Sequence, residues 1–145
     1  MDITFPDWRK ARVISTNKLD QWETFDDIYL PLPPVKGQPH RWLFIKRGFR
    51  TDCASIPRIA RVFYTPTNPK WRAAAIGHDG LYSAELLPRS EADDAIAYWM
   101  KLQGNNWARR KIFWLAVRGG GGFVWGDHTP KSIADARKYC SIIVL

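Results

Sequence analysis

Trp71-Arg72-Ala73-Ala74-Ala75-Ile76-Gly77-His78-Asp79-Gly80-Leu81-Tyr82 is the stretch on which the reading of this chain turns. Trp71, Ala74, Ala75, His78 and Tyr82 recur at the spacing of one helical face, and Pro69 suits a first turn, so the segment predicts a helix. His78 then points toward the core. Further on, Ala92, Ala95, Ile96, Trp99 and Met100 fit the i, i+3, i+4, i+7, i+8 pattern behind a candidate cap at Ser90, which predicts a second helix. Joined through Ser83 to Arg89 as an antiparallel hairpin, the two helices bring their apolar faces together. Asn106 can cap a third helix over Trp107 to Val117, which the glycines at 119–122 end; Thr129-Pro130 opens a short last helical segment before the apolar tail Ile142 to Leu145.

Upstream, the periodicity changes. Ala11 to Ser15 is a β-prone run, Gln21 to Leu30 alternates around Trp22, Phe25 and Ile28, and Arg41 to Ile45 is a compact apolar run. Pro31, Pro33, Pro34, Gly37 and Pro39 mark a loop between two of these strands. Lys46 to Phe49 turns the chain into a loop over Arg50 to Arg58, where Pro57 and the Asp and Ser residues favour turns. The expected class is α+β in a single domain over 1–145: a small N-terminal antiparallel sheet (strand-rich 1–50), a motif loop (51–68) and a helical half (69–145) containing the helix hairpin.

The 145 residues are 46% hydrophobic and 25% charged, a composition that excludes disordered and fibrous classes. Eight tryptophans without a fixed period argue for a Trp-rich core or interface and against a repeat architecture; Trp107, Trp114 and Trp125 are candidate partner anchors. The residues from Met1 to Trp8 hold no basic region followed by an apolar run, so a secretory signal is not expected. Ile112 to Val117, the longest apolar run, falls far short of the roughly 20 residues of a spanning helix, so an integral membrane protein is not expected either. Cys53 and Cys140 are too few and too far apart for a zinc ribbon or a disulfide scaffold. The net charge of +8 favours anionic partners, an anionic lipid surface among them, but its dispersal without a recognition motif argues against sequence-specific nucleic-acid binding.

Two aspartates compete for the histidine. At 100° per residue Asp93 lies roughly 90° from the centre of its helix's apolar face and Asp94 roughly 170° away. Asp93 therefore belongs at the core boundary, within reach of His78, and Asp94 in water. In the alternative, Ser90-Glu91-Ala92-Asp93 is a capping box with Asp in place of Glu, and Asp93 serves backbone N–H groups. His78 reads as a neutral imidazole with one nitrogen held by Asp93 and the other free to take a proton from water, or else as a core histidine bonded to backbone. Asp79, at the edge of the same face, needs a counter-charge. Calcium with backbone carbonyls or Asp52 would supply it, and so would Arg50 or Arg58.

Gly48 to Arg58 follows the pattern Gly-Phe-x-Thr-Asp-x-Ala-Ser-Ile-Pro-Arg, and Ala74 to Tyr82, followed by Arg89 to Asp93, carries an Ala-Ala-x-x-His-Asp-x-Leu-Tyr helix. Over about residues 11 to 125 the chain resembles a phage and prophage domain family of unassigned function, departing from it at Lys46, where proline is common. The resemblance implies a bacteriophage or prophage origin, with phage structural proteins as partners, and an α+β fold. Such a protein would act in the host cytoplasm during infection or be incorporated into the virion.

Over about residues 49 to 100 the motifs are also similar to the catalytic half of secreted phospholipase A2, especially its bacterial forms. That similarity implies His78 as base, Asp93 as its orienting partner, Tyr82 as a supporting hydroxyl, Asp79 as main calcium carboxylate and Asp52 as a second calcium ligand. The glycine-rich calcium loop of the animal enzymes and the disulfides flanking the His-Asp helix are absent from the sequence.

Elsewhere, the glycines at 119–122 follow a helix and lack the Lys-Ser/Thr of a nucleotide loop. Asp127-His128 reads as a turn and helix cap, or as a second metal pair. Two function classes follow: a calcium-dependent ester hydrolase with an open His-Asp site, or a non-catalytic virion, tail or accessory protein in which the cluster is enclosed and structural.

Overall fold

The computed structural model describes residues 4–16, 18, 21–51 and 68–144. Its architecture is α+β, with two small antiparallel sheets in the N-terminal half and four helices in the C-terminal half. After a 3-10 turn at Trp8–Lys10, β1 (Val13–Ser15), β2 (Trp22–Thr24) and β5 (Arg50–Thr51) form one sheet in the order β1-β2-β5. The other sheet is β3 (Ile28–Pro31), β4 (Arg41–Ile45) and β6 (Cys140–Val144), with β4 in the middle. The alternating stretch from 21 to 30 is thus split between two sheets, because the chain bends at Phe25–Asp27 instead of continuing straight.

The apolar tail is a strand. Arg41 pairs with Val144, Leu43 with Ile142 and Ile45 with Cys140. Alternation along β3 and β4 sends Ile28, Leu30, Leu43 and Ile45 inward, all at most 1% exposed. The opposite face carries an aromatic group in which Phe5 stacks on Tyr29 at 4.3 Å and Tyr29 meets Phe44 at 4.9 Å.

Against the inner face lies helix α1 (Arg72–Ser83), in which every residue from Ala73 to Tyr82 is buried. A helix walled in on all sides needs small residues where its neighbours crowd it. A Cβ at Gly77 would stand 2.6 Å from the Trp99 ring and 2.9 Å from Leu30, so this position lets α1 touch the next helix and β3 at once. Helix α1 begins later than Pro69: Asn68 organises the preceding turn, its carbonyl accepting from the N–H groups of Trp71 and Arg72.

Helix α2 (Arg89–Leu102) packs beside α1 through the short connection at 84–88. Its cap differs from the expected one, since Pro88 precedes it, no side chain caps it, and the Pro88 carbonyl takes the N–H groups of Glu91 and Ala92. Neither Ser90 nor Asp93 performs a capping role. Helix α3 (Trp107–Gly126) is capped by Asn106 as expected, its side chain accepting from the Arg109 N–H at 2.9 Å, but it runs on through all four glycines and for four residues more. Helix α4 (Pro130–Arg137) opens with a reciprocal Thr129–Ser132 capping box. No helix among the described residues is long and apolar enough to cross a membrane.

Candidate functional site

His78 and Tyr82 lie one turn apart on α1 and project toward α2, where Asp93 meets both. His78 Nε2 stands 2.8 Å from Asp93 Oδ1, and the Tyr82 hydroxyl donates to the same oxygen at 2.6 Å. Helical phase therefore selects the correct aspartate. Asp94 is exposed and accepts from the Trp114 indole N–H at 2.9 Å. Asp93 is buried more deeply than a boundary position, at 0% exposure like His78, with Tyr82 at 1%.

That depth is made by α3. Arg118 Nη1 donates to Asp93 Oδ2 at 2.9 Å, so both carboxylate oxygens are engaged. Arg89, at the start of α2, donates from Nε to the Tyr82 hydroxyl at 3.0 Å and from Nη2 to the backbone carbonyls of Val117 and Arg118 at 3.1 and 2.6 Å. Three helices are thereby tied around one carboxylate. Burial works to raise the Asp93 pKa, but the hydrogen bonds from His78 and Tyr82 and the charge-assisted bond from Arg118 outweigh it, so the carboxyl titrates below its usual range. Burial first, and then the bond to Asp93, push the Tyr82 phenol well above its ordinary value.

An ionised Asp93 accepts only, so His78 Nε2 carries a proton, and in the neutral imidazole Nδ1 is then the nitrogen with the lone pair. Nδ1 is buried and has no hydrogen-bond partner among the described residues. Such an orphan costs about 1–3 kcal/mol and calls for a reason in a network otherwise well satisfied.

The glycine run supplies the fourth wall. A Cβ on Gly121 would stand 2.5 Å from the Tyr82 hydroxyl oxygen. Glycine at 121 therefore admits the phenol to the α3 backbone, and the run lies inside a helix because one position in it serves the site. Sequence reasoning missed Arg118 altogether, met Gly121 only as part of a helix-ending run, and met Arg89 only within a motif. The available signal was the cost of a buried carboxylate, which the sequence reading applied to Asp79 and not to Asp93; Arg50 stands 3.8 Å from Glu23.

Asp79 follows His78 on the same helix. It is 7% exposed, and the Ser83 hydroxyl donates to it at 3.3 Å. Burial, then the negative charge of Asp79, raise the Cys140 thiol pKa to about 12. Asp52, Cys53 and Arg58 lie outside the described residues. Calcium takes six to eight oxygen ligands, and among the described residues no group of three or more His, Cys, Asp or Glu side chains converges.

A second His–carboxylate pair stands apart from the first. His128 Nδ1 lies 2.9 Å from Glu85 Oε1, with side chains 12% and 26% exposed. His128 also lines a 420 Å³ cleft with Ser83, Arg50 and Asp135. Asp127 closes the end of α3 and Thr129 caps α4, as the turn reading expected.

A family model for a protein of unknown function, DUF1353, matches residues 33–117, more than half the chain. The chain belongs to that family. The DUF1353 match takes in His78, Asp79, Tyr82, Arg89 and Asp93 and ends one residue before Arg118. No curated protein and no solved structure matches the chain.

Proposed function

We propose that this DUF1353 protein is a bacteriophage-encoded ester hydrolase similar in its chemistry to phospholipase A2, with His78 as general base. The observation that carries the reading is the orphan Nδ1 of His78 beside an Nε2 fixed by Asp93. Nδ1 would take a proton from the attacking water, and Asp93 would hold the tautomer and stabilise the imidazolium. Tyr82 and Arg118 keep Asp93 oriented and ionised. Because His78 is 0% exposed, substrate must displace a covering group to reach it. Calcium, bound through Asp79 with Asp52, belongs to the proposal as an added electrophile, but no step above depends on it. So do action in the infected host cytoplasm or the virion, and phage proteins or an anionic lipid surface as partners.

The decisive measurement is hydrolysis of phospholipid vesicles and soluble esters, with calcium or with a chelator, by wild type and His78→Ala. General-base removal is expected to lower the rate about 10²–10⁴-fold. Equal rates, or no turnover under any condition, would overturn the reading. Loss of activity on chelation would add the cation.

A second reading, a non-catalytic virion, tail or accessory protein, is favoured by one observation: the pair is enclosed at 0% exposure and clamped by Arg118 and Arg89. It expects no turnover and an effect of His78→Ala on stability alone.

A further inference from the structure

We infer that the outer face of α3 is a self-complementary seam through which two copies of this chain pair antiparallel, an inference independent of any hydrolytic activity. Ala108, Ile112, Leu115, Gly119, Gly122 and Gly126 follow one another at alternating steps of four and three residues. At 100° per residue they fall within an arc of about 80°, on a helix about 30 Å long. This arc is turned away from the core, which α3 meets through Phe113, Val117 and Gly121. Ile112 is 44% exposed, Leu115 54% and the adjoining Phe123 82%, with Trp107 at 69% on the rim.

The two halves of the stripe differ in relief. Its first half bears side chains and its second half is glycine. Among the described residues, a Cβ on Gly119 or Gly126 would have no heavy atom within 4 Å. Glycine inside a helix costs about 1 kcal/mol relative to alanine, and at Gly119 no close approach among the described residues accounts for that cost. A neighbouring helix would.

With a two-fold axis between the copies, antiparallel pairing sets Leu115 over Gly119 of the second copy, Ile112 over Gly122 and Ala108 over Gly126. Each projecting side chain then meets a gap, and the contact closes on itself as a two-fold interface must.

Charge and area both allow it. A net charge of +8 opposes self-association in general, but the arc itself contains no charged residue. At its flank Arg118 turns inward to Asp93, and Lys111 lies over the Trp114 ring at 4.4 Å. Ile112, Leu115 and Phe123, with the exposed Ala108 and the bared glycine backbone, leave on the order of 500 Å² open per copy, so pairing would bury on the order of 1,000 Å², the scale a specific interface requires.

Sedimentation velocity on the full chain tests this, with expected association to twice the 16.8 kDa chain mass. Leu115→Lys should abolish the dimer. Gly119→Leu should also abolish it while leaving the circular dichroism spectrum and thermal midpoint unchanged or improved, because position 119 is exposed and a Cβ there meets no heavy atom within 4 Å among the described residues. In a Cys53→Ser background, Ala108→Cys with Gly126→Cys should give a covalent dimer on oxidation; within one helix those positions are about 27 Å apart and cannot bridge. A wild type that stays monomeric, a dimer that survives Gly119→Leu, or a monomer that co-sediments with phosphatidylcholine–phosphatidylglycerol vesicles, which would give the face to lipid, overturns the inference.

Discussion

His78–Asp93 and His128–Glu85 are two histidine–carboxylate pairs of nearly equal length, 2.8 and 2.9 Å, in very different surroundings. The first is closed off between three helices, and its carboxylate also takes a phenol and a guanidinium. The second lies at the junction of α3 and α4, partly in water, and opens on a cleft. The distance alone says little about either. What separates them is what each group would lose if its partner were removed: at the surface water replaces the partner, and in the core nothing does.

Replacing Asp93 should therefore be the most damaging change. Asp93→Ala strands the Tyr82 hydroxyl, the His78 N–H and the Arg118 guanidinium together, and a loss of about 3–5 kcal/mol is expected in denaturant unfolding. Next comes the wall that admits the phenol. Gly121→Ala sets a methyl group 2.5 Å from the Tyr82 oxygen and should cost about 1–3 kcal/mol by overpacking. Tyr82→Phe in the same chain should recover part of that cost, because it removes the clashing atom, and a double-mutant cycle reads the recovery.

Acid should separate the pairs more gently. The Asp93 pKa lies below its usual 3.8, so the stability it contributes is complete above that value and is lost as pH falls through the folded-state value. Denaturant midpoints measured from neutral pH down to 3 should show the gap between wild type and Asp93→Asn narrowing toward the acid end. The smallest effect belongs to Glu85→Gln, under about 1 kcal/mol at neutral pH. If Glu85→Gln proved as costly as Asp93→Ala, the contrast between the two sites would fail.

Which of these features the sequence discloses follows from the range of the forces involved. Asp93 was separable from Asp94 because helical phase is a local property, and Asn106 and Thr129 declared their caps for the same reason. Ser90 looked equally suited, yet the chain starts α2 from Pro88 and leaves Asp93 to the histidine. Arg118 was hidden because nothing within its own helix ties it to a residue 25 positions earlier. The glycines were misread because local cost alone argues for a helix end, while the gain at Gly121 comes from Tyr82, on another helix.

The placement of β6 has a consequence for the newborn chain. Its partner strand β4 leaves the ribosome roughly a hundred residues earlier, and until Cys140–Val144 follows, the edge formed by Arg41–Ile45 has unpaired N–H and C=O groups to offer. Pairings this distant in sequence form slowly. The interval between the two strands is therefore the period in which a growing chain is most exposed to annealing with another, and in which a chaperone that shields strand edges would most improve the yield of native protein.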